Sequence, residues 1–315
     1  MVKPARGGAL HGGDVFAAAR DLGLSWREVL DYSANVNPLG PPPGLKRFLE
    51  KNFDLIRHYP DPYAYGWREQ VAERHGLSPG EVLAGNGTTA LLYLLPRVLR
   101  PRRPVSAVPA FAEYGQALRV AGLEGQEIAC RARDDFDLTP AVVDRLFRLE
   151  PDLLFLANPT SPAGRLVSPE ILDRVLSLAR RRKTFVALDE AFLDFTRSPS
   201  LAGLVRRHPR LIVLRSLTKF YALPGLRLGY LTAAAPVAAR LLAAAEPWSV
   251  NALAQAAGFY CLDQAAYTER TRRLVQKERE WLARRLADLS WGRVVPGAAN
   301  YLLFQIQRPG LTEAM

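Results

Sequence analysis

Leu211-Ile212-Val213-Leu214-Arg215-Ser216-Leu217-Thr218-Lys219-Phe220-Tyr221 joins an apolar run of strand length to a lysine set among apolar and aromatic neighbours. Four aliphatic residues in a row read as a strand buried on both faces. A lysine directly behind such a strand is costly as a cation, so its pKa falls and its amine becomes a nucleophile. Alone, Lys219 reads more readily as a surface lysine at a strand end. Working outward, similar short apolar runs occur at 106–108, 153–156, 185–188 and 228–231. Amphipathic helical stretches separate them, such as Pro169–Arg182 with Ser168 as its N-cap. Strands alternating with helices predict an α/β fold with a mostly parallel central sheet covered by helices on both faces. In such sheets ligands sit at the carboxyl ends of the strands.

The neighbours of Lys219 strengthen its chemical reading. Eight residues on lies Arg227, in Pro224-Gly225-Leu226-Arg227-Leu228-Gly229. The hydroxyl of Ser216, the amine of Lys219 and the guanidinium of Arg227 suit a phosphate that carries an aldehyde nearby. Thirty residues upstream of the lysine, Phe185-Val186-Ala187-Leu188-Asp189-Glu190 ends a buried strand in a carboxylate. Asp189 can pair with a protonated pyridine nitrogen, or simply cap the next element. Farther upstream, Ala84-Gly85-Asn86-Gly87-Thr88-Thr89-Ala90 turns into an apolar helical run from Leu91. Glycines followed by hydroxyls at a helix N-terminus offer free N–H groups and a positive dipole end to a phosphate. Each element is weak singly; the three in this order are specific.

The bulk composition excludes several other classes. The chain has 315 residues, 49% of them hydrophobic and 23% charged, which is globular and long enough for a large core and a smaller lobe. Lysine and arginine total 42 against 31 acids, a net charge of +11, and six of the 42 are lysines. The basic residues are scattered through amphipathic stretches rather than gathered in a tail, so nucleic acid is not the expected partner, and a basic surface also favours phosphorylated small molecules. Cys130 and Cys261 lack disulfide or metal spacing, so no metal site is expected and a reducing cytoplasm fits. No signal-type apolar segment opens the chain, and no run approaches the ~20 apolar residues of a membrane span.

The organisation expected is a strap over residues 1–40, a large α/β body over 41–235 and the start of a second lobe over 236–315. The strap holds a helical run at Val15–Leu22 and the Pro/Gly-rich stretch from Tyr32 to Pro43. The second lobe reads as long helices, one over 266–288, followed by a strand at 301–306. It is expected to stop before its remaining strands.

These motifs resemble the class I/II aminotransferase superfamily, whose members are fold-type-I enzymes dependent on pyridoxal 5′-phosphate. Further stretches narrow the resemblance: His11-Gly12-Gly13, Asp31 to Gly40, Phe111-Ala112-Glu113-Tyr114-Gly115, Arg215 to Tyr230, and Pro247-Trp248-Ser249-Val250-Asn251-Ala252. They are similar to the branch that decarboxylates O-phospho-L-threonine to (R)-1-amino-2-propanol O-2-phosphate in cobalamin biosynthesis, beside the histidinol-phosphate aminotransferases. The resemblance implies that Lys219 carries the cofactor covalently and that Asp189 binds its pyridine nitrogen. Ser216, Arg227 and the N–H groups around Gly87, Thr88 and Thr89 would hold its phosphate, and Phe111 would stack on its ring. Tyr59 would reach the cofactor phosphate of a second subunit, which implies a homodimer with shared sites. His11, Gly12 and Asn35 would contact a small phosphorylated amino-acid substrate. The plainer alternatives are Phe111 as core, Tyr59 as a turn aromatic and Asn35 as a loop cap.

Two departures accompany the resemblance. Where relatives carry an asparagine for the cofactor's phenolic oxygen, this chain has Ser161, and Phe192 stands where many aminotransferases place a tyrosine for the same oxygen. A serine donates one hydrogen bond with shorter reach, which predicts a shifted ionisation of the bound cofactor. The arginines that grip substrate in relatives have no counterpart before Met315. The alternatives to decarboxylation are transamination of the histidinol-phosphate type and an inactive remnant that only binds the cofactor.

Overall fold

The computed structural model describes residues 12–307. Nine strands are present among them: β1 (Val82–Asn86), β2 (Pro104–Val108), β3 (Gln126–Ala129), β4 (Leu153–Ala157), β5 (Phe185–Asp189), β6 (Leu211–Ser216), β7 (Leu228–Ala233), β8 (Gly292–Val295) and β9 (Leu303–Ile306). Ten α-helices accompany them. The first five are α1 (Val15–Leu22), α2 (Leu45–Lys51), α3 (Tyr65–His75), α4 (Gly87–Leu99) and α5 (Glu113–Val120). The rest are α6 (Pro140–Arg148), α7 (Pro169–Arg182), α8 (Ala235–Ala243), α9 (Ala252–Leu262) and α10 (Ala265–Ala287).

The main sheet has seven strands in the order β1-β7-β6-β5-β4-β2-β3. Strands β2 to β6 pair in parallel, while β7 is antiparallel to both its neighbours. Strand β1 therefore runs with the other five, and β7 alone is reversed. All five strands expected for the main sheet are present, each longer by one or two residues. Strands β1 and β3 were not expected. β1 contains Ala84, Gly85 and Asn86 and lacks a β-branched run, while β3, Gln126-Glu127-Ile128-Ala129, is an edge strand with only one partly buried residue.

Alternation explains why helices cover both faces. Leu154, Leu156, Val186, Leu188 and Val213 pack with α6 and α7, while Leu153, Phe155, Ala187, Ile212 and Leu214 pack with α4, α5 and α8. A third cluster joins α3 and α9 around Trp67 and Phe220, both fully buried. Ser168 caps α7 as its position predicts, accepting from Ile171 N. Helix α10 lies within one residue of its expected bounds, but the expected strand over 301–306 begins only at Leu303; the side chains of Asn300 and Tyr301 bond instead to Asn35 in the strap and Thr160 in the loop after β4. β8 and β9 form an antiparallel pair against α10.

Candidate active site

The strand directions gather one set of residues at one edge of the sheet. β1, β4, β5 and β6 all end there, and reversed β7 begins there. Gly229 of β7 pairs with Gly85 of β1 on one side and Ser216 of β6 on the other. A Cβ on Gly229 would stand 2.7 Å from Thr88 N and 3.0 Å from the Arg215 carbonyl oxygen, so only glycine lets these strands and the start of α4 close up. Gly87 N donates to the Arg227 carbonyl at 2.8 Å. Gly87, Thr88, Ser216 and Arg227 thus surround one small space.

Helix α4 begins at Gly87 rather than at Leu91, so the expected turn residues Thr88 and Thr89 are the first turn of the helix itself. No side chain caps this end. Its first N–H groups and positive dipole end face the Arg227 side and suit a phosphate. Gly87 has a left-handed φ of 73°, and a Cβ there would stand 2.5 Å from Arg227 Nη2. The buried Ser216 hydroxyl shares a hydrogen bond with Thr218 Oγ1 at 2.8 Å, and Lys219 Nζ donates to the same Thr218 oxygen at 3.4 Å.

Lys219 is held below the usual lysine pKa, first by burial and then by the Arg227 charge, with Asp189 acting the other way. That is the condition expected of an amine nucleophile. Asp189, at the end of β5, accepts from Ala191 N at 2.9 Å and from the Tyr114 hydroxyl at 3.0 Å. Burial pushes its carboxyl up, while those two donors and Lys219 pull it back. The next residue turns to the other side of the sheet. There Glu190 accepts from Arg215 Nη1 at 2.9 Å in a buried ion pair, and Arg215 alternates with Ser216 on β6.

The chain order reverses between β2 and β4, the place where open α/β sheets bind ligands. Phe111 follows β2 there, partly exposed, with its ring edge-on to Tyr114 at 6.0 Å. Tyr114 in turn stacks on Phe155 at 5.3 Å and 11°. The loop after β4 carries Ser161. The second lobe lies across this loop: Ala298 N donates to the Gly164 carbonyl at 2.7 Å, Arg165 Nη1 to the Pro296 carbonyl at 2.7 Å, and the Tyr301 hydroxyl to the Thr160 carbonyl at 3.0 Å.

The strap approaches from a third side. Asn37 N donates to the Lys219 carbonyl at 3.0 Å, and its side-chain amide donates to the Phe220 carbonyl at 2.8 Å. Two residues earlier, exposed Asn35 offers its carbonyl to Asn300 Nδ2 at 3.0 Å. Gly12 lies against the Ser33 carbonyl, where a Cβ would collide. His11 lies outside the described residues. Tyr59 stands apart from the group; its ring is 85% exposed and rests on Trp248 at 5.4 Å.

Three contributors escaped the sequence reading. Tyr114 had a readable signal, because its three-residue spacing from Phe111 at a helix start puts both on one face. Asn37 and Tyr301 had none, since their partners lie 183 and 141 residues away. Among the described residues no cluster of His, Cys, Asp and Glu could hold a metal ion, and no helix is long and apolar enough to cross a membrane.

Known proteins share this sequence and fold. A threonine-phosphate decarboxylase of Salmonella typhimurium is 40% identical over 304 residues, which is 95% of this chain and 82% of that one. A histidinol-phosphate aminotransferase of Anaeromyxobacter sp. is 34% identical over 298 residues, 93% of this chain and 80% of that one. The crystal structure of L-threonine-O-3-phosphate decarboxylase from Porphyromonas gingivalis superposes with a TM-score of 0.79 at 28% identity, covering 89% of this chain and 83% of that one. The pattern of the family described as aminotransferase class I and II matches residues 27–314, and with it the lysine, the carboxylate strand and the helix N-terminus gathered at one sheet edge, so the chain belongs to the aminotransferase class I and II family.

Proposed function

We propose that this protein binds pyridoxal 5′-phosphate and decarboxylates O-phospho-L-threonine to (R)-1-amino-2-propanol O-2-phosphate, a step of cobalamin biosynthesis. The observation that carries the reading is the convergence of Lys219, Asp189 and the Ser216–Arg227–α4 cradle in a chain 40% identical to a threonine-phosphate decarboxylase. The residues fit the cofactor. A left-handed glycine, an uncapped helix start, a hydroxyl and a guanidinium suit its phosphate, and the cradle contains no carboxylate to repel it. When bound, pyridoxal phosphate supplies an aldehyde that condenses with amines and a pyridine ring that takes up the electron pair left as a bond at the substrate Cα breaks.

Each residue then has a task. Lys219 would hold the cofactor through its aldehyde, and its free amine would be placed to carry a proton to or from the substrate Cα. Asp189 keeps a proton on the pyridine nitrogen. Ser216, Arg227 and the amides of Thr88 and Thr89 bind the phosphate, and Phe111 covers one face of the ring. Body 41–235 carries this machinery, while the strap over 1–40, with Gly12 and Asn35, and the segment 236–315 supply the substrate side. Orientation would decide the reaction: the residues that fix the substrate carboxylate would select whether CO2 or the α-proton is lost. Tyr59, 85% exposed with its ring on Trp248, would reach the phosphate of a second subunit in a homodimer. Two buried free cysteines support a cytoplasmic setting.

The test is to incubate the protein with pyridoxal phosphate and O-phospho-L-threonine, without an oxo acid, and to follow aminopropanol phosphate by mass spectrometry. Product that vanishes in Lys219→Ala is expected. Amino transfer that requires an added oxo acid, with no loss of CO2, would replace this reading by the aminotransferase that the Anaeromyxobacter relative represents.

A further inference from the structure

The order of strands fixes which side of the cofactor ring meets which residues, given the reading above on which this inference rests. Pyridoxal phosphate carries its phenolic oxygen and its phosphate arm on opposite sides of the line from ring nitrogen to aldehyde carbon. Here the nitrogen partner Asp189 ends β5, and the phosphate cradle belongs to β1, β7 and β6 on one side of it. The phenolic oxygen therefore faces the opposite side, toward the loop after β4. Among the described residues the groups on that side are few. Phe192 offers only a ring, Ser161 a short hydroxyl, and Tyr301 a phenol brought in by the second lobe.

Tyr301 is built into this place. Its ring meets Phe192 edge to face at 4.9 Å, and its hydroxyl donates to the Thr160 carbonyl, one residue before Ser161. That carbonyl also accepts from Gly164 N at 2.7 Å, so the Ser161 turn is closed from inside and clamped from outside by the same oxygen. Gly164 leaves room for the tyrosine ring, since a Cβ there would stand 3.4 Å from Tyr301 Cε2. Burial holds the phenol well above the usual tyrosine pKa, with the adjacent Ser161 hydroxyl acting the other way and Asp189 adding to the rise. At neutral pH it is a protonated donor.

We propose that Tyr301 is a positioning residue for the cofactor ring: its phenol, clamped on the Thr160 carbonyl against Phe192, sets the Ser161 hydroxyl so that this hydroxyl donates to the phenolic oxygen. A hydrogen-bond donor at that oxygen favours its ionised form. The pair thus does from two lobes what a residue reaching from one loop would do alone, and the visible spectrum of the bound cofactor reports on it directly.

The experiment titrates the visible absorbance of the holoenzyme against pH for the parent, Tyr301→Phe, Ser161→Ala and the double variant, with thermal melts alongside. Tyr301→Phe keeps the ring against Phe192 and removes only the hydroxyl. Each single variant is expected to raise the titration midpoint by about half a pH unit or more, and the double variant by less than the sum, because the two hydroxyls act as one unit. A lower melting temperature with an unmoved midpoint for Tyr301→Phe would overturn the proposal, since it would make Tyr301 a strut between lobes and nothing more. Midpoint shifts that simply add would overturn the coupling. A parent protein that takes up no pyridoxal phosphate would instead overturn the cofactor reading itself, and the parent spectrum alone separates that failure from the others.

Discussion

The Tyr114 hydroxyl donates to Asp189 Oδ2 at 3.0 Å, and the ring that carries it is pinned flat against Phe155. The carboxylate proposed to face the pyridine nitrogen is thereby aimed by a buried phenol. Tyr114→Phe removes one donor to the ionised form of Asp189, so the carboxyl pKa rises further and its hold on a protonated ring nitrogen weakens. A hydrogen bond to a charged group contributes about 1.5 kcal/mol or more, which corresponds to roughly tenfold weaker binding of pyridoxal phosphate. Equilibrium titration of the apoenzyme by absorbance checks it.

Arg227 depresses the Lys219 pKa, second only to burial. Arg227→Gln removes a positive charge beside the amine, so the Lys219 pKa rises and less neutral amine is present at neutral pH. The expected outcome is slower capture of pyridoxal lacking the phosphate at pH 7, with the rate recovering as pH increases. Using the aldehyde without its phosphate separates this charge effect from the loss of a phosphate ligand. Equal rates across the pH range in both proteins would contradict it.

Gly87→Ala puts a Cβ 2.5 Å from Arg227 Nη2, on a residue with φ of 73°. The left-handed backbone costs about 1 kcal/mol, and the guanidinium must leave the cradle to make room. Binding of pyridoxal phosphate is expected to weaken tenfold or more, while binding of pyridoxal, which has no phosphate to place, changes little.

His75, bonded to the Tyr230 hydroxyl at 2.9 Å, is pushed down to about 4 by burial and then by Arg215 and Arg74, with Asp194 acting the other way. Above the ordinary histidine pKa of 6.5 both folded and unfolded states are neutral, so the group is silent. Between 6.5 and about 4 only the unfolded chain takes up the proton, so stability falls with pH and the loss is complete below about 4. The full penalty is on the order of 3 kcal/mol. Glu81, pulled down to about 2 chiefly by Arg206, is stabilising above 4.5 and loses that contribution only as pH falls toward 2. Denaturant melts between pH 6.5 and 4.5 therefore separate the histidine from Glu81, and His75→Gln is expected to flatten the decline there.

Most of the chemistry was legible because it lies in short contiguous motifs whose residue types announce their task. Lys219 follows a buried strand, Asp189 closes another, and Gly87 opens a helix; strand alternation and the parallel order then bring them together. Reversal of β7 was not legible, yet it is what returns Arg227 to the edge where β6 leaves Ser216. Strand β1 was missed because Ala84, Gly85 and Asn86 have poor strand character, and it forms only because paired Gly229 lets the backbones approach. Tyr301 was read as the first residue of a strand, since nothing local tells a tyrosine that packs across lobes from one that lies in a ladder.

The clasp of residues 296–301 on the loop of 160–165 has an evolutionary corollary. Lysine, carboxylate and phosphate cradle all reside on one sheet, where any drift in one strand displaces the rest, so the cofactor's side of the cleft is bound to change slowly. The opposite wall is borne by a separate piece of chain attached through one backbone bond at Gly164 and the side chains of Arg165 and Tyr301. A lineage can therefore revise which molecule it accepts, and which bond at Cα it exposes, by rewriting the clasp and leaving the sheet untouched.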